Sequence, residues 1–269
     1  MAMVTGDITF IDAPPWQVLV ADDSSLWRHV TAAAIKAFGG PVIVHEAVDG
    51  GQALDILSRC DIDIAFIDLG MPEITGDEVV IRTGSLRRMP FFVVISGNTD
   101  GAEIARMRKL SAYDYLTKPF DAEAVSRVLK AYERASAPTS VLIIDDCVTT
   151  RAIIRRLLAR TIFRLEVTDA GDGVAAFELY VKKPFDIVFL DVNMPGIDGE
   201  QTLRILRAYN PNVRVILMSG NQNSLDALKG YKARGYLRKP FGPSDLDALI
   251  HRVFGLEPPF ITSVGVVTT

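Results

Sequence analysis

The sequence predicts an α/β protein of two doubly wound domains, each a five-stranded parallel sheet with helices on both faces. Three observations carry that expectation. Residues 185–199, FDIVFLDVNMPGIDG, are an apolar run that ends in an acid, Asp191, followed by Met194-Pro195 and a glycine turn. A short β-branched-rich run bounded by Pro and Gly reads as a strand buried on both faces, as in a parallel sheet. Residues 62–76, IDIAFIDLGMPEITG, repeat the pattern with Asp68 in the place of Asp191. The third observation is constancy of offset: Asp22 with Asp145, Asp68 with Asp191 and Ser96 with Ser219 stand equally far apart along the chain. Whole domains are therefore duplicated, and 269 residues leave room for two of middle size.

The elements follow in order. Residues 1–15 form a leader ending in Pro14-Pro15, which suits neither a strand nor a helix interior. The first domain, 16–136, opens with the strand QVLVADD and its acids Asp22 and Asp23; Ser24-Ser25 are N-cap residues for a helix that runs to Gly39-Gly40. PVIVHE is the second strand, and a helix with Ala53, Leu54 and Leu57 on one face follows. After the strand ending at Asp68, a weaker helix spans about 77–87, FFVVIS ends at Ser96, and a helix covers 103–110. A short strand at 113–116 precedes Lys118-Pro119-Phe120, and Asp121 caps a helix with Val125, Val128, Leu129 and Tyr132 on one stripe. Residues 137–140 read as a linker, small and polar with a proline. The second domain, 141–257, repeats the series through Asp145-Asp146, Asp191, Ser219, Lys239 and Pro240, two residues shorter between its serine and its lysine. The tail, 258–269, carries no charge.

Composition narrows the function classes. The chain is 49% hydrophobic and 23% charged, as in an ordinary globular protein, and its net charge of −4 builds no basic surface for nucleic acid. No apolar run approaches the roughly 20 residues that span a bilayer, and the first residues lack a secretion signal, so no membrane insertion is expected. Cys60 and Cys147 lie in different repeats without zinc-like spacing, which reads as reduced thiols of a cytoplasmic protein. Cys147 fills the place of Ser24 as a small residue, and Trp27 reads as a packing residue of the first helix. Arg106, Arg108, Lys109, Lys229, Lys232 and Arg234 read as solvated helix surface or a docking face.

The chemistry-bearing residues all stand at strand ends, which in a parallel sheet share one edge, and in open α/β sheets that edge holds the functional groups. In each copy three carboxylates, a hydroxyl and an ammonium group converge if the strands are near neighbours. Carboxylates about 4 Å apart repel by roughly 4 kcal/mol per pair at an effective dielectric of about 20. A cation is therefore required, and hard oxygens with room for water and phosphate suit Mg²⁺. The lysine can pair with an acid or a phosphate, and the serine can donate to a phosphoryl oxygen.

At ADD, IDLGMPEITG, VVISG and YLTKPF, and again at IDD, LDVNMPGIDG, ILMSG and YLRKPF, the sequence resembles the receiver domain of two-component response regulators, over nearly all of residues 16–257. The resemblance implies a flavodoxin-like fold with strand order 2-1-3-4-5. It implies that Asp68 and Asp191 are phosphoacceptors, taking phosphoryl groups from a histidine kinase or histidine phosphotransfer protein. One Mg²⁺ per domain would be held by Asp23 and Asp146 directly, by Asp22 and Asp145 through water, by the acceptors Asp68 and Asp191, and by the carbonyls of Gly70 and Asn193. Ser96 and Ser219 match the switch hydroxyl, Lys118 and Lys239 the phosphate-pairing lysine, and Tyr115 and Tyr236 the switch aromatic. The family more often has Thr at the hydroxyl position. Gly70 is unusual two residues after an acceptor, where the family tunes acyl-phosphate lifetime.

Aspartyl-phosphate hydrolases of the haloacid dehalogenase type also use a strand-end Asp with Mg²⁺. They resemble this chain poorly, because their second Asp falls where Gly70 and Asn193 stand. No Gly-Gly-acid-acid-Phe motif of a nucleotide cyclase occurs. The expectation is a phosphoacceptor signalling protein of tandem receivers without its own output domain, not an enzyme beyond slow hydrolysis of its own acyl phosphate. It would act through phosphorylation-dependent interaction with a downstream protein or by receiver pairing within or between chains. The alternatives are a phosphate sink and a phosphorelay intermediate.

Overall fold

The computed structural model describes residues 14–85, 89–98, 100–221 and 233–259. Leader residues 1–13, tail residues 260–269, and Lys229 and Lys232 of the expected docking face lie outside the described residues. The chain divides into two compact units, 1–129 and 130–269.

In the first unit β1 (Trp16–Ala21), α1 (Ser25–Phe38), β2 (Val42–Ala47), α2 (Gly50–Arg59), β3 (Ile64–Asp68), α3 (Gly76–Arg82), β4 (Phe91–Ser96), α4 (Gly101–Lys109) and β5 (Asp114–Thr117) alternate, and α5 (Ala122–Ser136) crosses into the second unit. The sheet order is β2-β1-β3-β4-β5 with every pair parallel, as the sequence predicts. In the second unit β6 (Thr139–Ile144), α6 (Val148–Leu158), β7 (Leu165–Ala170), α7 (Gly173–Lys182), β8 (Ile187–Asp191), α8 (Gly199–Tyr209), β9 (Val215–Ser219), β10 (Gly235–Arg238) and α9 (Pro243–Val253) give the order β10-β9-β8-β6-β7. Read from its other edge, this is the first order again.

The apolar runs become the central strands. Every residue of β3 and β8 is buried, whereas the edge strands β2 and β7 are only partly covered. Helix starts are fixed by side-chain caps: Asp49 accepts from Gln52 N, Asp172 from Val174 N and Ala175 N, and Asp198 from Gln201 N. Helix α1 stops at Gly39, which sits at φ +91°. The expected stripe of α5, Val125, Val128, Leu129 and Tyr132, is buried.

Three local expectations change. Helix α3 ends at Arg82, short of 87, because the Thr83 hydroxyl donates back to Val80 O (2.8 Å) and residues Thr83–Ser85 tighten into a 3₁₀ turn. Ser24 holds the N-cap position of α1 but makes no capping bond through its hydroxyl; its N–H is bound instead by Asp22 Oδ1 at 3.0 Å. Of the linker proposed at 137–140, Thr139 and Ser140 lie in β6. The small polar residues are used inside the sheet, since Ser140 donates to Asp186 Oδ2 through both N and Oγ at 2.8 Å.

Two glycines set how closely a helix meets the site. A Cβ on Gly76 would lie 2.2 Å from Asp68 O, and one on Gly199 would lie 2.4 Å from Asp191 O. Helices α3 and α8 thus start against the carbonyls of the two candidate acceptors. Gly199→Ala is expected to destabilise the second domain by about 1–3 kcal/mol, as overpacking of a close contact does. Chemical denaturation followed in that domain checks this, and an unchanged midpoint would show that the contact relaxes without cost.

Candidate functional site

Register brings the strand-end residues together. Ala21 pairs with Ile67 across β1 and β3, so Asp22 and Asp68 follow side by side; Ile144 pairs with Leu190, which does the same for Asp145 and Asp191. Asp68 stands opposite Ile95, one residue before Ser96, and Ser96 opposite Thr117, one residue before Lys118. One carboxylate oxygen from each of Asp22, Asp23 and Asp68 lies within 4.8 Å of the others, and the same holds for Asp145, Asp146 and Asp191. Asp22, Asp68, Asp145 and Asp191 are buried, while Asp23 and Asp146 are exposed, so each cluster has a deep wall and an open side.

A lysine bridges each cluster. Lys118 Nζ lies 2.8 Å from both Asp68 Oδ1 and Asp22 Oδ2, and Lys239 Nζ lies 2.8 Å from Asp191 Oδ2 and 2.6 Å from Asp145 Oδ2. Burial opposes the charge of each lysine, but the paired acids outweigh it and raise both pKa values. Burial also raises the pKa of Asp68 and of Asp191; the lysine in each site pulls it back and the neighbouring acids push it further up. One ammonium therefore faces three carboxylates. Asp22 Oδ2 is a buried oxygen that, among the described residues, has Lys118 as its partner. An under-neutralised, oxygen-only cluster of this kind fits a hard divalent cation.

The remaining expected residues are placed as follows. Gly70 N–H donates to Asp68 Oδ2 (3.1 Å), and Asn193 N–H to Asp191 Oδ1 (3.2 Å). The Asn193 side chain donates to Ser219 Oγ at 2.8 Å, a contact that Gly70 cannot make. Ser219 also accepts from Asn221 N (3.0 Å), and Ser96 from Asn98 N (3.1 Å). Tyr115 is buried, whereas Tyr236 is partly buried against the core of the second domain. Trp27 stacks on Phe120 with centroids 4.8 Å apart, and Lys118 Nζ lies 5.8 Å from its ring. Arg106 pairs with Asp77 at 2.8 Å.

Glu103, on α4, was not singled out by the sequence. Its Oε1 accepts from Ser96 Oγ at 3.1 Å and from the Tyr115 hydroxyl, whose oxygen also lies 2.7 Å from Asn98 O. Burial, then the Glu103 contact, raises the Tyr115 pKa well above its ordinary value. Helical periodicity leaves Glu103 as an unremarked acid near the start of a basic surface helix, and only the tertiary fold turns it toward the strand edge.

Fold and site together define a class: a doubly wound domain whose switch-point crevice holds a carboxylate cluster bridged by a lysine, present in two copies. The response regulator receiver domain matches residues 18–130 and 141–251, and the chain belongs to that family of two-component signalling, carrying the domain twice. A probable chemotaxis protein CheY of Rhizobium etli is 32% identical over 120 residues, which are 43% of this chain and 92% of that protein. The nitrate/nitrite response regulator protein NarL of Escherichia coli is 32% identical over 117 residues, 43% of this chain and 54% of its own length. A solved structure titled as a probable two-component system response regulator/GGDEF domain protein superposes with a TM-score of 0.65 over 89% of this chain and 98% of that one. At 22% identity that likeness is one of fold. Among the described residues no helix is long and apolar enough to cross a membrane.

The raised pKa of Asp191 fixes the sign of a pH effect. Its protonated form is favoured by folding, so its contribution to stability is complete below the ordinary carboxylate value, about 4, and is lost as pH rises through the raised one. In metal-free buffer Asp191→Asn is expected to melt above the wild type at neutral pH and together with it below about pH 4. Scanning calorimetry across that range checks this, and a variant less stable than wild type at neutral pH would reverse the sign.

Proposed function

We propose that each domain accepts a phosphoryl group from a histidine kinase or histidine phosphotransfer protein, on Asp68 in the first domain and on Asp191 in the second. The observation that carries the reading is the lysine-bridged cluster, built twice from the same strand ends. The acceptor carboxylate attacks the phosphorus of the donor, the phosphorus–nitrogen bond breaks, and the donor imidazole leaves with the bonding electrons. Lys118 or Lys239 balances the charge that gathers on the phosphoryl oxygens, and Ser96 or Ser219 turns its hydroxyl to donate to one of them.

Asp22, Asp23 and Asp68 with the carbonyl of Gly70, and Asp145, Asp146 and Asp191 with that of Asn193, would hold one Mg²⁺ in each domain. When bound, the ion supplies charge neutralisation between acceptor and phosphoryl oxygens. The oxygen-only donor set and the buried Asp22 Oδ2 support this choice. The chain thus serves as a phosphoacceptor whose only turnover is slow hydrolysis of its own acyl phosphate, in the cytoplasm where such donors work. Its output is phosphorylation-dependent binding: once Ser96 turns to the phosphoryl group it leaves Glu103, Tyr115 loses part of its hydrogen-bond frame, and the surface around α4 and β5 changes. A downstream protein, or another receiver in the same or a second chain, would read that surface.

The two sites also support unequal lifetimes. Asn193 covers Ser219 in the second site, whereas Gly70 places no side chain beside the first acceptor.

Acetyl phosphate with Mg²⁺ is expected to label Asp68 and Asp191, and Asp191→Asn to leave only the Asp68 label, read by peptide mass spectrometry. Loss of all label in Asp191→Asn would remove the first acceptor from the reading. A second measurement concerns the switch: Glu103→Gln is expected to lower the apparent Tyr115 pKa toward its ordinary value of about 10, read by ultraviolet titration. An unmoved titration would leave Glu103 without influence on the tyrosine.

A further inference from the structure

Each copy holds an arginine aimed at the backbone of its acid pair. Arg28, on α1, donates from Nη1 to Asp22 O (2.7 Å) and Asp23 O (3.2 Å), while its Nε lies 3.5 Å from Glu46 Oε2 on β2. Arg151, on α6, donates from Nη1 to Asp145 O (2.7 Å) and Asp146 O (3.3 Å), while its Nε donates to Asp169 Oδ2 on β7 at 3.0 Å. Arg28 with Arg151 and Glu46 with Asp169 keep the offset that relates Asp22 to Asp145, so the whole constellation is duplicated. Both guanidinium side chains are only 15% exposed.

A second set of contacts fixes the side chains that the arginine leaves alone. Asp22 Oδ1 accepts from Ser24 N at 3.0 Å, and Asp145 Oδ1 from Cys147 N at 2.9 Å. With the carbonyls pinned by arginine and one carboxylate oxygen pinned by the following turn, the other oxygen, Oδ2, is left facing the bridging lysine. A helix-to-sheet strut would need only the pairing of Arg28 with Glu46, and a 3.5 Å pair whose acid is half-exposed contributes little to stability. The forked donation to two successive carbonyls instead acts on the backbone from which both acids project.

We propose that Arg28 and Arg151 are positioning residues for the cation site: through the carbonyls of Asp22-Asp23 and Asp145-Asp146 they hold each acid pair in its ligating arrangement, and Glu46 and Asp169 hold the arginines. The inference rests on the acid pairs being Mg²⁺ ligands. It also sets the two copies apart. Arg155 joins Arg151 on Asp169, and the two arginines, Arg155 first, hold that carboxyl below the usual carboxylate range despite partial burial. Arg28 has only the longer contact to a half-exposed Glu46 beside it. The second acid pair is the more rigidly held.

The test is Mg²⁺ titration of the full chain by isothermal calorimetry. Removing an outer partner of a metal ligand typically costs about 10–100-fold in affinity. Arg28→Gln is expected to weaken one of two sites by at least about 10-fold and Arg151→Gln the other, with circular dichroism unchanged. Arg28→Lys, whose single nitrogen cannot take the places of both Nη1 at the carbonyls and Nε at Glu46, is expected to recover only part of the loss. Asp169→Asn, which touches neither acid pair, is expected to weaken the second site by a smaller factor and serves if Arg151→Gln does not fold. No heat of Mg²⁺ binding in the wild type would overturn the reading of the site itself. Wild-type binding with unchanged affinity in folded Arg28→Gln, or in Asp169→Asn where the arginine variants unfold, would overturn the positioning role alone.

Discussion

The constraint on which the rest depends is the suspension of one lysine between two buried carboxylates from different strands. Lys118 reaches Asp22 at the end of β1 and Asp68 at the end of β3, though it follows β5 at the far edge of the sheet. Nothing local produces that meeting. It requires β1 beside β3, β4 beside β3 and β5 beside β4, with a register that brings all four ends level. Acids gathered on one edge would repel one another, and the ammonium group makes that gathering tolerable before any cation arrives. The second domain meets the same requirement with Lys239, Asp145 and Asp191.

Much of this was legible in the sequence because the duplication acts as an internal control. An apolar run ending in Asp is ambiguous once, but one that recurs with its serine, lysine and glycine turn at a constant offset is a constraint on both copies. The buried strands, the acid clusters and the bridging lysines followed from it, and the sheet order from the resemblance to receiver domains. What stayed hidden were partners carried on helices and edge strands. Arg28 and Arg151 obey the offset as faithfully as Asp22 and Asp145, but on a helix they look like solvated charge. Glu103 shares the offset with an acid, Asp226, but its role depends on which way α4 turns over β4 and β5. Small polar residues misled in the opposite direction: Ser140 reads as linker, yet Asp186 binds it as part of β6.

Duplication has not kept the two sites identical. In the first, Glu103 accepts from the serine hydroxyl; in the second, among the described residues, the Asn193 amide donates to it. A hydroxyl held by a carboxylate must give up a charge-assisted bond to move, whereas one that accepts from an amide keeps its own proton for another acceptor. Among the described residues, the turn position held by Gly70 in one domain and Asn193 in the other is a source of that difference. The aromatic surroundings diverge too, for Trp27 and Phe120 stack beside Lys118 in the first domain, and Thr150 stands where an equivalent of Trp27 would be.

The last strand's lysine also sets the smallest unit that can exist alone. A polypeptide ending after β9 would carry Asp145, Asp146 and Asp191 on one edge with no ammonium group among them, because Lys239 has yet to be made. During synthesis the acid edge of each domain therefore stays unbalanced until nearly the whole domain has emerged. Its modules are indivisible for the same reason: exchange between such proteins by recombination conserves the site only if it moves the first strand and the last lysine together.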